Sequence, residues 1–322
     1  MKVKRTFIHL YCTSMKKAIQ VPYQFHSISA MNSALGMPQP KHPLIAVNDY
    51  KDISNDVTDI AKGMVMDFYK ISYKKALSGK IKYGEHHYDF QNGGLSFLAP
   101  HQFIAEDENN GECAGLTLLI HPDFLIGYPL LKNIKNYGFF SYRANEALKL
   151  TVEEEQTVFA LFYSIEKELN ERLDRFSQDV IISQIELLLN YSNRFYNRQF
   201  IIEKVKHNSL MVNMDELLEN YFIQNTGREQ GLPSVQFLAD SLNVSSSYLS
   251  DVSRELTGLN AQQQIHQKLI EKAKEMLSVT NLTVSEIAYQ FGFEYPQSFN
   301  KLFKNKMNVS PLEFRHSKRY KD

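Results

Sequence analysis

Five hydrogen-bonding side chains near the C-terminus have the spacing of one exposed helix face. They are Gln297, Ser298, Asn300, Lys301 and Lys304. The apolar residues of the same stretch fall on the opposite side of a 3.6-residue repeat, and they are Phe299, Leu302, Phe303 and Met307. Amide, hydroxyl and ammonium groups can hydrogen-bond base edges or phosphate oxygens in the major groove of DNA. The pattern predicts a helix that reads nucleic acid.

A second short helix is predicted directly before this one, and a tight turn joins the two. Its apolar stripe is Val284, Ile287, Ala288 and Phe291. Thr283 and Glu286 have the spacing of a capping box at its start. Gly292 can take the left-handed backbone conformation of the turn, and Pro296 suits the first turn of the following helix. Residues 283–307 therefore read as a helix-turn-helix motif.

An earlier stretch, residues 234–257, repeats this arrangement. The same apolar spacing recurs in Val235, Leu238, Ala239 and Leu242. Ser234 is the predicted N-cap, and Asn243 takes the place of the turn glycine. Between the two copies, residues 260–278 contain no Gly or Pro and predict a helix roughly 28 Å long. Two reading helices at the ends of such a strut match adjacent major-groove turns, which lie about 34 Å apart.

These linked features resemble the DNA-binding domain of the AraC/XylS family of bacterial transcription regulators, and the resemblance covers residues 214–320. It rests on Leu249-Ser250, Thr257-Gly258, Ala273 with Leu277, Glu286-Ile287-Ala288, Gly292-Phe293, Ser298-Phe299, Phe303-Lys304, Ser310-Pro311 and Phe314-Arg315. The resemblance implies double-stranded DNA as partner. It also implies DNA contacts by Ser246, Ser247, Ser250, Asp251 and Arg254 of the first motif and by Gln297, Ser298, Asn300, Lys301 and Lys304 of the second.

The first motif departs from the family pattern at two positions. Asp251 and Ser253 stand where a basic residue and a large apolar residue are common. The region that contains the first motif is acidic as a whole, since residues 214–295 hold five basic and eleven acidic residues. Residues 296–322, in contrast, hold seven basic and two acidic ones. The net charge of the whole chain is zero. Attraction to phosphates is therefore expected at the second motif.

The N-terminal half predicts short β-strands between Gly, Pro and Asn turns. The apolar or alternating runs are 44–47, 64–77, 95–99 and 116–120. They favour a small β-sandwich or barrel. The resemblance implies a cupin-like barrel that binds a small effector, with residues 79–102 as its central hairpin. Tyr83, Tyr88 and Phe90 are the candidate effector-binding residues.

Four residues raise the alternative of a metal-dependent cupin enzyme, namely His86, His87, Asp89 and His101. A shared ion needs ligands at alternate strand positions, because alternate residues face the same side. His86 and His87 are adjacent and would point to opposite faces. We therefore expect no metal, no cofactor and no enzymatic activity.

Residues 146–205 change to long helical patterns. One apolar stripe is Phe159, Phe162, Ile165 and Leu169, and another is Ile181, Ile185, Leu188, Leu189 and Phe195. Such helices need a partner, which is either the barrel itself or a second subunit, and the resemblance favours a homodimer. Residues 204–213 are interpreted as a linker.

The predicted fold is multi-domain α+β. It has a cupin-like effector-binding domain (1–145), a helical linker or dimerisation segment (146–205) and an all-α domain of two helix-turn-helix motifs (214–322). Two cysteines without a CxxC motif fit a reducing cytoplasm, and no apolar run is long enough to span a membrane. The expected function is sequence-specific control of transcription in response to a small effector, with RNA polymerase as a further partner. The open alternatives are a ligand-independent regulator whose barrel serves only for oligomerisation, and a cupin enzyme with a DNA-binding appendage.

Overall fold

A computed structural model describes residues 22–56, 60, 63–76, 80–83, 86–89, 94–104, 113–143, 146–224 and 227–319 of the chain. Its strands are β1 (Tyr23–Phe25), β2 (Ile45–Asp49), β3 (Met64–Met66), β4 (Tyr69–Ala76), β5 (Lys80–Tyr83), β6 (His86–Asp89), β7 (Gly94–Leu98), β8 (Phe103–Ile104), β9 (Cys113–Ile120) and β10 (Leu148–Lys149). Its α-helices are α1 (Ile28–Leu35), α2 (Leu130–Asn133), α3 (Val152–Asn170), α4 (Ser177–Ile202), α5 (Lys204–Ile223), α6 (Gly227–Gln230), α7 (Val235–Ser241), α8 (Ser246–Thr257), α9 (Ala261–Val279), α10 (Val284–Gln290), α11 (Pro296–Met307) and α12 (Pro311–Arg319). The protein is therefore a multi-domain α+β chain, as predicted.

The N-terminal half is built on a five-stranded sheet in the order β10-β7-β4-β9-β2. A three-stranded sheet, β1-β3-β8, and the two-stranded hairpin β5-β6 accompany it. Side chains alternate along the central strand β4: Tyr69, Ile71 and Tyr73 belong to one buried cluster, and the residues between them point to the other face. The β-alternation predicted over residues 64–77 is confirmed in β3 and β4.

The outer face of this sheet is covered by α3 and α4. Helix α3 begins at a capping box in which Thr151 and Glu154 bond each other's backbone. The second predicted stripe, on α4, is buried at all five positions against α3 and the sheet. Since the N-terminal half of the same chain covers both stripes, a homodimer would need other residues, and it stays a prediction.

The inner face of the sheet packs against α1 and the three-stranded sheet. Phe25, Ile28, Met31 and Met66 belong to this smaller cluster and are at most 5% exposed. Glycine 36 ends α1 with a left-handed φ of 68°. The N-terminal half therefore has apolar side chains on both faces of one sheet.

The segment interpreted as a linker, residues 204–213, is helical. It is the first half of α5, which continues without a break to Ile223. His207 within it is 1% exposed. The linker interpretation rested on polar composition and gave no secondary structure. The segment contains no Gly or Pro, so nothing in it interrupts a helix that packing stabilises.

The C-terminal helices surround α9. Leu269, Ala273 and Leu277 of α9 are fully buried, and the helix begins at a capping box formed by Asn260 and Gln263. Helix α9 has 19 residues, which gives a length of about 28 Å. No helix in the described ranges is long and apolar enough to cross a membrane.

Candidate nucleic-acid interface

The second recognition helix, α11, is held by a turn that only glycine fits. Gly292 has a φ of 88°, and a Cβ there would lie 2.4 Å from the carbonyl carbon of Gly231. Pro296 occupies the first turn of the helix, as predicted. Phe299 and Phe303 are fully buried, and their ring centroids are 5.8 Å apart. These contacts fix the angle at which α11 leaves the domain.

All five polar residues predicted on this helix are exposed. They are Gln297, Ser298, Asn300, Lys301 and Lys304. The structure brings them together on one side of α11, opposite the two buried phenylalanines. The arrangement presents amide, hydroxyl and ammonium donors on a helix of the diameter that a major groove admits.

The first recognition helix, α8, follows the predicted turn. Asn243 has a φ of 56°, which confirms the left-handed residue expected at this position. Ser245 caps the helix by accepting a hydrogen bond from the Tyr248 amide at 3.1 Å. Leu249 and Val252 are fully buried, as predicted. Ser253, a departure from the family pattern, is also buried and donates to the Leu259 carbonyl at 2.6 Å.

The predicted DNA-contacting residues of α8 lie on two different sides of the helix. Ser246, Ser247 and Ser250 are half-buried and Arg254 is exposed. Asp251 faces the N-terminal half instead, where its Oδ2 accepts a hydrogen bond of 2.7 Å from the Tyr142 hydroxyl. Its other oxygen pairs with Arg254 Nη1 at 2.7 Å.

A buried carboxylate joins the N-terminal half to the start of α8. Glu146 is 4% exposed, and it accepts hydrogen bonds from the Ser245 amide at 2.6 Å and the Ser245 hydroxyl at 2.5 Å. The Arg143 amide donates to the same carboxylate at 2.7 Å. Burial raises the pKa of Glu146, and the hydrogen bonds from Ser245 oppose that shift only in part. An anion at a helix N-terminus is also stabilised by the helix dipole.

Further contacts extend this interdomain junction on both sides. Arg143 Nη2 pairs with Asp240 of α7 at 2.8 Å. The ring of Tyr248 packs against Tyr142 and against Phe200 of α4. The distances between ring centroids are 5.3 Å to Tyr142 and 5.5 Å to Phe200. Burial first, and the charge of Asp251 second, raise the pKa of the Tyr142 hydroxyl, so it stays protonated and donates.

His207 completes the interdomain junction from α5. Its Nδ1 lies 2.9 Å from the Phe200 carbonyl and its Nε2 lies 2.9 Å from the Tyr248 hydroxyl. Because a carbonyl only accepts, Nδ1 carries the proton, and in the neutral ring Nε2 accepts from Tyr248. We call Tyr142, Arg143, Glu146 and His207, with their partners on α7 and α8, the interdomain clamp.

The sequence did not point to the interdomain clamp. Its pairs are separated by about a hundred positions along the chain, as in Glu146 with Ser245 and Tyr142 with Asp251. One signal was present: residues 214–295 hold an excess of acidic residues, and Asp251 stands where the resemblance leads one to expect a basic residue. Asp240 and Asp251 belong to this acidic excess, and both have partners on the N-terminal half.

The candidate metal and effector residues are described only in part. His86, His87 and Asp89 lie in β6, and His101 pairs with Asp67 at 3.2 Å. No group of three His, Cys, Asp or Glu side chains with metal-binding geometry occurs among the described residues. Tyr83 lies in β5 and Tyr88 in β6, while Phe90 lies outside the described residues.

Parts of the chain are similar to known helix-turn-helix proteins. A family model described as a helix-turn-helix domain matches residues 238–317. The HTH-type transcriptional activator RhaS of Escherichia coli O81 (strain ED1a) is 23% identical over 258 residues, which cover 78% of this chain and 86% of RhaS. Its counterpart in Enterobacter sp. (strain 638) is 24% identical over the same shares of both chains. Among solved structures, the C-terminal domain of the response regulator yesN from Fusobacterium nucleatum is 33% identical and covers 32% of this chain and 98% of its own, with a TM-score of 0.28.

Two helix-turn-helix motifs at the ends of a long connecting helix define a DNA-binding protein of the double-motif class. Within that class, the chain is similar to transcription regulators. This similarity rests on the linked motif residues, the matched helix-turn-helix model and the long match to RhaS. The chain is a DNA-binding transcription regulator whose C-terminal helix-turn-helix domain is of the AraC type.

Proposed function

We propose that the protein recognises specific double-stranded DNA sites with both recognition helices, and that the second helix supplies most of the affinity. The observation that carries this proposal is the exposed polar face of α11. Basic residues are concentrated in the same part of the chain, whereas the first motif is acidic. Lys301 and Lys304 would contact phosphates or guanine, and Gln297, Ser298 and Asn300 would contact base edges or phosphates.

The residues of the first motif have smaller roles in this proposal. Ser246, Ser247 and Ser250 have short hydroxyl side chains suited to phosphate oxygens. Arg254 is held by Asp251 and would contact DNA after that ion pair opens. Asp251 would accept from a cytosine amino group only when Tyr142 has released it.

We propose further that the N-terminal half regulates the first motif through the interdomain clamp. A major groove about 12 Å wide admits a helix of about the same diameter, so a helix with one flank covered by protein cannot enter it. Helix α8 has its Asp251 and Tyr248 flank against the N-terminal half. A small effector that changes the clamp would therefore change which DNA sites the first motif occupies.

We also propose that the chain divides into three parts at the predicted boundaries. We propose residues 1–145 as the effector-binding domain, 146–205 as the helical segment and 214–322 as the DNA-binding domain. The buried cluster of the C-terminal helices, from Met214 to Phe314, supports the last of these parts. The cluster of the five-stranded sheet also includes residues of α3 and α4 and Tyr248 and Val252 of α8. Tyr83, Tyr88 and Phe90 are retained as candidate effector residues.

The remaining parts of the proposal concern partners and location. We infer that the protein acts by binding rather than catalysis, in the bacterial cytoplasm where its DNA is. We propose a homodimer, because two copies of the DNA-binding domain could then occupy two half-sites of one DNA site. RNA polymerase is the protein partner through which a bound regulator would act on transcription.

A nuclease footprint tests the central proposal. Full-length protein is placed on DNA upstream of its own gene and neighbouring genes, with Lys301→Ala and the control Lys135→Ala. Lys135 is exposed in the N-terminal half, far from either motif in sequence. We expect protection over two adjacent helical turns and about fivefold to tenfold weaker binding for Lys301→Ala, since one charge-assisted contact is lost.

Salt dependence separates the possible roles of Lys301. If it contacts a phosphate, the slope of log affinity against log salt falls by about 0.9 in Lys301→Ala. If it contacts a base, the slope is kept and discrimination between sites falls. Equal binding by Lys301→Ala and Lys135→Ala on every fragment would contradict the assigned role of α11.

A further inference from the structure

A small cavity lies inside the N-terminal half, between α1 and the inner face of the five-stranded sheet. Its volume is about 70 Å³. Most of its wall is apolar and includes Phe25, Met31, Leu35 and Met64. By volume it has room for roughly five or six water-sized spheres, which is the scale of a short aliphatic or single-ring group. An apolar wall of this kind is typical of a site that buries the body of a small molecule.

One charged residue interrupts this apolar wall. Lys70 lines the cavity from the central strand β4 and is only 5% exposed. Lysine is almost never buried to this degree without a partner, because removing an ammonium from water is costly. In the ranges that the structure describes, Lys70 forms no ion pair with a carboxylate. Its Nζ lies 6.0 Å from the centroid of the Tyr50 ring.

Three sets of polar side chains surround Lys70. The Asn48 amide, in the cavity wall, donates to Asn32 Oδ1 at 2.7 Å and is therefore satisfied. Ser72 and Thr117 share a hydrogen bond of 2.9 Å and therefore satisfy each other. The Tyr50 hydroxyl, which belongs to another residue of the cavity wall, is buried and has no hydrogen-bond partner among the described residues. Buried hydroxyls without a partner are rare in folded proteins. An ammonium and a phenol donor are thus both present in the wall of one apolar cavity.

We propose that this cavity binds a small monocarboxylate with an apolar body, whose carboxylate pairs with Lys70 and accepts from Tyr50. The ligand carboxylate would supply the counter-charge that the described residues do not give to Lys70. An inorganic anion would leave the apolar wall against water, and a sugar would find too few hydrogen-bonding groups there. This inference deepens the proposed effector function and rests on it only for the regulatory consequence, not for binding.

A second, larger cleft adjoins the cavity and offers a way in from solvent. Its volume is about 650 Å³, and Tyr50 and Ile53 line both spaces. The segment between these two residues therefore separates the inner cavity from the outer cleft. A short movement of that segment would admit a ligand without disturbing the sheet.

Strand β4 connects the cavity with the interdomain clamp. Lys70 lies on its inner face, and the neighbouring Tyr69 lies on its outer face, where its ring is 5.1 Å from that of Phe140. Phe140 belongs to the short helix Gly138–Ser141, which directly precedes Tyr142 of the clamp. Ligand binding at Lys70 therefore occurs one residue from a packed contact with the clamp segment.

Titration calorimetry on the full-length protein tests the site directly. The probes are hexanoate and benzoate, each compared with its alcohol, hexanol or benzyl alcohol. The test variant is Lys70→Met, which removes the ammonium group and keeps an unbranched apolar side chain of similar length. The control is Lys132→Met, which removes an exposed lysine of the same domain. We expect at least one carboxylate to bind at millimolar concentration or below. We also expect at least about tenfold weaker binding in Lys70→Met, because a charge-assisted contact is lost.

Tyr50→Phe provides a second variant that removes only the hydroxyl, and we expect a loss of about threefold to tenfold there. Three results would each overturn the proposal. They are unchanged carboxylate binding in Lys70→Met, equal binding of the alcohols and the acids, and no binding of either acid at about 10 mM. DNA binding with and without the acid is measured separately. An acid that binds through Lys70 but leaves DNA binding unchanged would confirm the site and refute its role as the effector site.

Discussion

Tyr142→Phe is the most direct perturbation of the interdomain clamp. It removes the hydroxyl that donates to Asp251 at 2.7 Å and leaves the ring in place against Tyr196 and Tyr248. A hydrogen bond to a charged acceptor contributes about 1.5 to 3 kcal/mol. The side chain of Asp251 is 26% exposed, so water can replace part of the lost bond, and the lower end of that range applies. A change of about 1.4 kcal/mol corresponds to a factor of ten in an equilibrium.

We therefore expect Tyr142→Phe to shift the clamp toward its open form by about tenfold. If the closed form predominates and cannot place α8 in the groove, the apparent Kd for DNA falls by up to the same factor. Fluorescence anisotropy on the footprinted DNA measures this change. Tyr137→Phe is the matched control, because its hydroxyl donates to Asn190 at 2.9 Å within the N-terminal half and does not touch α8.

Two results would refute this reasoning. One is wild-type DNA affinity for Tyr142→Phe, and the other is the same gain of affinity in Tyr137→Phe. Adding Asp251→Asn to Tyr142→Phe refines the outcome, since residues in one contact do not act additively. No further gain means that Asp251 acts through Tyr142, whereas a further gain reveals direct repulsion between its carboxylate and the phosphates.

Three other predictions follow from buried or strained positions. Gly292→Ala places a methyl group on a residue with φ of 88° and against the backbone of Gly231, so we expect the free energy of unfolding of the C-terminal domain to fall by about 2 kcal/mol or more, as measured by urea unfolding. Phe303→Ala removes a fully buried ring beside Phe299, and a loss of about 3 to 5 kcal/mol is expected by the same method, with the N-terminal transition unchanged. Glu146→Gln tests pH dependence: because burial raises the folded-state pKa of Glu146, its contribution to stability is greatest below the usual value of 4.5 and declines as pH rises through the folded-state pKa. The stability of the wild type relative to Glu146→Gln should fall over that window, and a difference independent of pH would show that the carboxylate does not titrate at the clamp.

Local patterns in the sequence predicted most of the C-terminal domain. The Thr283 capping box, the left-handed Asn243 and Pro296 in the first turn of α11 depend only on residues within a few positions of each other. Apolar spacing likewise predicted the stripes by which α3 and α4 pack in the N-terminal half. Such features are set by backbone preferences and periodicity, which a single sequence displays.

The parts that sequence reasoning missed depend on contacts between distant residues. Nothing near Glu146 shows that it caps a helix starting at Ser246, and nothing near Lys70 shows that its neighbours across the fold are apolar. At residues 204–213 the polar composition indicated a linker and gave no secondary structure, whereas the segment is a helix whose packing buries His207. The effector site was sought at Tyr83, Tyr88 and Phe90 because aromatic residues are visible in a pattern. The burial of Lys70 depends on residues that are distant in the chain, so no pattern in the sequence displays it.

The unbroken course of α5 has a mechanical consequence. Only Glu203 separates it from α4, and its 20 residues span about 30 Å. Its second half carries the buried Met214 and Leu218 of the C-terminal core. A rod of that length, tilted by about 10° at Glu203, moves its far end by roughly 5 Å, which is one helical turn. Each inserted residue would rotate the two ends by about 100° relative to one another. The helix therefore acts as a lever whose length and phase are both fixed, so its natural variants should keep the number of residues between His207 and Met214 even where they change the residues themselves.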